Sequence, residues 1–238
     1  MIRVGAFLLA LCVAGTALAA TPEEDVEHYL KIFQGDTGHE RAVEELGWKG
    51  ISDVRLYDVM ERRLLADFND VRRDREGKGR VARYIRGLAF SGQPKYEPTI
   101  GRFLYDPDYG RHAKIASEDL PHYTRWNPII SNRAAFDPKV SDDGNRVLNM
   151  LRSGDPLLEK IGAKCVYFRE NEAAVVDALA ELVRQRYRVS DPVNADTTAW
   201  MVKGLGRAGR EKYRDLLEDV KRNAADRGPR NQAESALR

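Results

Sequence analysis

The sequence predicts an all-α protein, an irregular superhelix made of two duplicated helical halves. Three observations predict it. Apolar residues recur at helical spacing, as in 173–187, AAVVDALAELVRQRY, where 175, 179, 182, 183 and 187 form one stripe. No run shows the strict alternation of apolar and polar residues that marks a strand. The chain also repeats itself: RYIRGLAFSGQPKY at 83–96 returns as WMVKGLGRAGREKY at 200–213, with Gly87/Gly204, Leu88/Leu205, Gly92/Gly209, Lys95/Lys212 and Tyr96/Tyr213 coinciding at an offset of 117 residues.

At an offset of 119 the upstream segments align too. Gly35-Asp36 falls on Gly154-Asp155, and Leu56, Asp58, Met60, Leu64 and Phe68 fall on Val175, Asp177, Leu179, Val183 and Tyr187. A change of two residues around 70–80 reconciles the offsets and gives copies at about 24–121 and 143–238.

The first copy divides into helices at about 24–34, 38–46, 52–72, 79–91, 94–105 and 111–121. Glu23-Glu24-Asp25 opens the first with negative charge, which suits the positive end of a helix dipole. The third carries its stripe at 56, 60, 64 and 68. In the fourth, Ala82, Ile85, Leu88 and Ala89 share a face, matched by Ala199, Val202, Leu205 and Gly206 in the second copy. Gly92 and Gly209 then stand where those helices end, because glycine takes a left-handed terminus at little cost. Tyr96 and Tyr213 begin the next stripe, with Ile100/Phe103 and Leu217/Val220; Ala116 and Leu120 match Ala233 and Leu237. Between the copies, PHYTRWNPIISNRAAFDPKV holds three prolines and no helical stripe. It reads as an ordered loop packed on the helices by its aromatic residues. The tail closes with a short capping helix from about Pro229.

The repeated G-L-x-x-x-G-x-x-x-Y segment, carried by Gly87-Leu88, Gly92, Tyr96 and Ile100 and by Gly204-Leu205, Gly209, Tyr213, Leu216 and Leu217, resembles the HEAT/armadillo class of helical-repeat proteins, in an exported bacterial form. The resemblance implies stacked helical pairs, one helix of each lining a concave surface that binds other molecules. The chain departs from the class in its uneven helix lengths and in a period near 118 residues instead of about 40, which is why the superhelix is expected to be irregular.

MIRVGAFLLALCVAGTALAA has the form of a cleavable signal peptide: Arg3, a short apolar run, then small residues to Ala17-Leu18-Ala19. A periplasmic or secreted protein is expected. Leu11 stands before Cys12 where a lipid-attachment site wants a small residue, so a lipoprotein is not. The expected organisation is a signal peptide at 1–19, a first helical half at 20–121, a connecting loop at 122–142 and a second half at 143–238. The net charge of +2, less one with Arg3, speaks against a nucleic-acid partner. Past the leader no apolar run is long enough for an integral membrane segment.

No catalytic constellation is legible. His28, His39, His112 and His122 lack metal-ligand spacing, so no metal or other cofactor is expected and the histidines read as solvated or capping groups. Cys165 stands where the first copy has Leu46, a core position. Asp58 and Asp177 recur beside their stripes as polar flanks. Gly204-Leu205-Gly206-Arg207-Ala208-Gly209 spells G-x-G-x-x-G, but no strand precedes it. The candidate binding residues are aromatic and cationic: Arg83, Arg86, Trp200, Lys203 and Arg207 on polar helix faces, and Tyr123 and Trp126 in the connecting segment, residue types that anchor protein interfaces. The functional expectation is an exported, non-enzymatic protein that binds a protein or peptide partner on its curved surface. The alternatives are an accessory subunit or inhibitor of a cell-envelope enzyme or secretion machine, and an enzyme whose site is assembled from distant residues.

Overall fold

The computed structural model of the protein describes residues 22–70 and 75–238; the leader at 1–19 lies outside the described residues. Twelve α-helices and two single 3-10 turns (94–96 and 133–135) account for the regular structure, with no strand among the described residues. The helices are α1 Pro22–Gln34, α2 His39–Lys49, α3 Val54–Asp70, α4 Arg75–Phe90, α5 Glu97–Gly101, α6 Gly110–Ile130, α7 Asp142–Leu151, α8 Pro156–Phe168, α9 Ala173–Arg186, α10 Pro192–Ala208, α11 Arg214–Asn223 and α12 Arg227–Leu237. They form an all-α superhelix of stacked helices. One row stacks α2 on α4 and α4 on α6, then α8 on α10 and α10 on α12; α3, α7, α9 and α11 pack beside α4, α8, α10 and α12. Among the described residues no helix is long and apolar enough to cross a membrane.

The repeated sequence has a physical cause. In the first half Asp58 on α3 receives Lys95 Nζ at 2.6 Å and Tyr96 OH at 2.8 Å. In the second, Asp177 on α9 receives Lys212 Nζ and Tyr213 OH, both at 2.5 Å. The same Lys-Tyr pair thus ties the segment after α4 back to α3 and the segment after α10 back to α9, while each tyrosine ring is buried. Gly87 and Gly204 allow close helix packing: a Cβ on Gly87 would stand 2.7 Å from Met60 Sδ, and one on Gly204 3.0 Å from the Ala163 carbonyl.

Two expectations are corrected. The segment 122–142 is not a loop over its first part, because α6 runs through Pro121 and Pro128 to Ile130. Both prolines lie on the exposed side of the helix. Each interior proline costs about 3 kcal/mol, whereas burying a large apolar side chain returns about 1.5–3 kcal/mol. Leu120, Tyr123, Trp126 and Ile130 are all buried, so the helix prevails. Side chains near the breaks are tied to carbonyls: Thr124 Oγ1 donates to Gly92 O at 2.6 Å and Ser131 Oγ to Asn127 O at 2.7 Å. The consequence is architectural. Ala113, Ala116 and Leu120 belong to the apolar core of the first half, and Tyr123, Trp126 and Ile130 to that of the second. One helix therefore feeds both cores.

The second correction concerns Gly209. Gly92 has φ +63°, the left-handed terminus expected of it, but Gly209 is absent from the positive-φ glycines. Its N–H donates to Leu205 O at 2.8 Å, as in a helix. It is small for another reason: a Cβ there would approach Val176 Cγ1 to 2.7 Å.

The halves also meet through charged side chains. Arg146 on α7, nearly buried, pairs with Asp25 on α1, Lys49 Nζ with Asp143 at 2.5 Å, and Arg169 with Glu45 at 2.7 Å. These pairs bring α2 against the start of the second half.

Candidate functional site

A groove of about 890 Å³ opens between α2, α4 and α6 of the first half and α8 of the second. Each helix contributes a ring and at least one charged side chain, Glu44 in the case of α2. The C-terminal turn of α2 supplies Trp48, α4 supplies Arg86 and Phe90, α6 supplies Asp119, His122, Tyr123 and Trp126, and α8 supplies Lys160, Lys164 and Phe168, with Arg169 just beyond it.

Local packing fixes these groups. Trp126 donates its indole N–H to Asp155 at 2.8 Å, and the same carboxylate caps α8 through Leu157 N at 2.9 Å and Leu158 N at 3.3 Å. Burial raises the Asp155 carboxyl, but the Trp126 donor and the two amides outweigh it and hold the group below its ordinary range. His122 stacks on Trp126 at 4.9 Å with an interplanar angle of 19°, and its Nδ1 accepts from Arg125 at 2.8 Å. Phe90 and Tyr123 lie 4.9 Å apart. Arg169 lies over Trp48 at 4.5 Å while pairing with Glu45, closing one end of the groove between α2 and α8. Arg86 pairs with Asp119 at 3.1 Å, and its buried Nε has no hydrogen-bond partner among the described residues. Burial raises the Asp119 carboxyl despite that arginine. Burial, followed by Lys160, lowers the Lys164 amine. Two groups perturbed by desolvation in one cleft mark a candidate site.

The predicted site residues fall in four places. Arg86, Tyr123 and Trp126 line the groove, although Tyr123 and Trp126 are buried wall residues, 4% and 3% exposed, instead of exposed anchors. Trp200 and Lys203 lie on α10 at its edge, beside Lys164 and Phe168 of α8. Arg83 pairs with Glu40 at 2.6 Å and lines an adjoining hollow of about 580 Å³ with Arg86 and Phe90. Arg207 is exposed and lines neither. The α2 and α8 residues were not legible in sequence. A signal was present: both helices end on aromatics beside cations, Trp48-Lys49 and Tyr167-Phe168-Arg169.

Other expected candidates are structural. His39 is buried; its Nε2 faces the carbonyls of Ile32 at 3.0 Å and Gly35 at 2.9 Å, so Nε2 carries the proton and Nδ1 accepts from Tyr84 OH at 2.6 Å. It caps the end of α1. Cys165 is buried, and burial pushes its thiol well above the usual range. Among the described residues no group of three or more histidine, cysteine, aspartate or glutamate side chains is placed to hold a metal ion.

No family model matches the chain, and no curated protein matches it. Among solved structures it is similar to human deoxyhypusine hydroxylase in complex with glycerol, at 14% identity and a TM-score of 0.38, over 89% of this chain and 83% of that one. The expectation of a non-enzymatic scaffold is overturned here: the similar structure is by name an enzyme, and stacked helical pairs do not by themselves mark a protein-binding role. The geometry agrees, because the seven candidate residues do not share one free curved face. A likeness of this size carries nothing about substrate or chemistry.

Proposed function

We propose that the protein takes a small molecule with a planar, largely apolar body into the groove between its halves. The carrying observation is the convergence of Trp48, Phe90, Tyr123, Trp126 and Phe168 from four helices on one cavity of about 890 Å³. Cavities of roughly 300–1,000 Å³ with aromatic walls and a few placed polar groups are the usual form of a small-molecule site. Phe168 supports the reading further: it is 61% exposed, an apolar ring face that a ligand ring would cover. Export to the periplasm belongs to the same proposal and rests on the composition of residues 1–19.

A thermal-shift screen of planar small molecules against the protein and Phe168→Ala tests it. Phe168 is exposed enough for the substitution to leave the fold intact. The expected outcome is a binder that raises the melting temperature of the parent and loses about tenfold or more in affinity in the variant, an interaction near 1.4 kcal/mol. Binders that act equally on both, or a groove that takes only extended peptides, would overturn the reading.

A further inference from the structure

This inference rests on the groove reading and adds the charge of its ligand. At the second-half edge of the groove, Trp200 of α10 carries two ammonium groups. Lys203 Nζ stands 4.5 Å from the Trp200 ring centre and 4.5 Å from that of Tyr167. Lys164 Nζ stands 5.0 Å from the Trp200 ring centre. Tyr167 and Phe168 complete a ring platform, with centroids 6.1 and 6.4 Å from that of Trp200. Lys164 and Phe168 also line the groove, so the platform continues it.

The neighbouring carboxylates are already committed. Asp196 pairs with Lys160, and Asp119 with Arg86. Lys164 and Lys203 make no ion pair among the described residues; aromatic faces are what they rest on. An indole face attracts a cation, but two cations on one indole repel each other. Lys160, one helical turn before Lys164, adds a third positive charge at the unfavourable i, i+4 spacing. Burial comes first in lowering the Lys164 amine; Lys160 and Arg86 add to it, while Asp196 and Asp119 oppose it. An oxyanion held by these ammoniums would offset their positive charge and give them charge-assisted hydrogen bonds.

We infer that Lys164 and Lys203, on the platform of Trp200 and Tyr167, form the anion-holding end of the groove, taking the phosphate or carboxylate of a ligand whose planar body lies against Phe168 and the rings behind it. The ligand class is therefore an aryl or other flat-bodied oxyanion.

Calorimetric titration with phenyl phosphate, benzoate and neutral benzyl alcohol tests this in the protein, Lys164→Met and Lys203→Met, each variant checked for an unchanged helical spectrum. Methionine keeps the length of the apolar stem and removes the charge. The expected result is that at least one anion binds more tightly than the alcohol, loses about tenfold in each variant and shows a shallower salt dependence there, while the alcohol is unaffected. Phosphate and benzoate arms separate the two headgroup chemistries. Anions that bind no better than the alcohol, or that bind parent and both variants alike, would overturn the inference and leave the groove reading standing. Anion binding lost in the variants, with no alcohol binding, would support the anion site and count against the groove. No binding by any probe would overturn both.

Discussion

At the residue scale, the two glycines that coincide in the repeated segment do different work. Gly92 is left-handed, and α6 passes so close that a Cβ would stand 2.6 Å from Thr124 N. Backbone atoms cannot give way as a flexible side chain can. Gly92→Val should therefore cost about 2–4 kcal/mol, combining the left-handed penalty with overpacking. Gly209→Val meets Val176 Cγ1 and Tyr213 Cδ2 at 2.7 and 2.9 Å without a backbone penalty, and should cost about 1–3 kcal/mol. Urea denaturation checks both; equal and negligible costs would refute these roles. The coincidence of two glycines was legible in sequence, but their separate reasons were not. A glycine letter does not distinguish a turn requirement from a packing requirement, since each depends on what approaches from elsewhere in the chain.

At the scale of elements, helical stripes were legible because each helix buries one face: the expected stripe at 56, 60, 64 and 68 sits on α3, where Leu56, Met60 and Leu64 are fully buried. The length of α6 was not, because local proline chemistry opposes a burial gain visible only in three dimensions. The Asp-Lys-Tyr tie was half legible: Asp58 recurs at an offset of 119 and Lys95 and Tyr96 at 117, yet nothing local joins residues 36 apart, as between Asp177 and Tyr213. Its titration is testable. Hydrogen bonds from Lys212, then Tyr213, hold the Asp177 carboxyl below its ordinary value of 3.8. A depressed carboxyl stabilises the fold above its ordinary value, and that contribution is lost as pH falls from about 3.8 through the folded value. Tyr213→Phe should cost about 0.5–1.5 kcal/mol at neutral pH, move the Asp177 carboxyl back toward 3.8 and flatten the acid limb of stability. Carboxyl NMR titration of parent and variant reads this directly; an unmoved Asp177 would contradict the tie.

At the scale of the whole molecule, the groove exists because two like-built halves are held together at its walls. The helix α6 enters both cores, and Lys49–Asp143 and Arg169–Glu45 draw α2 toward α7 and α8. None of the groove's residue types is unusual alone. Their convergence depends on how the halves meet, which is why Arg86, Tyr123 and Trp126 could be singled out in sequence while Trp48, Lys164 and Phe168 could not. Hydrogen-exchange mass spectrometry of the whole protein with and without saturating phenyl phosphate tests the groove most directly. Exchange should slow in the C-terminal turn of α2, in α6 around 122–127 and in α8 around 160–168, with α1, α3 and α5 unchanged. Protection confined to those outer helices, or no protection at all, would contradict it.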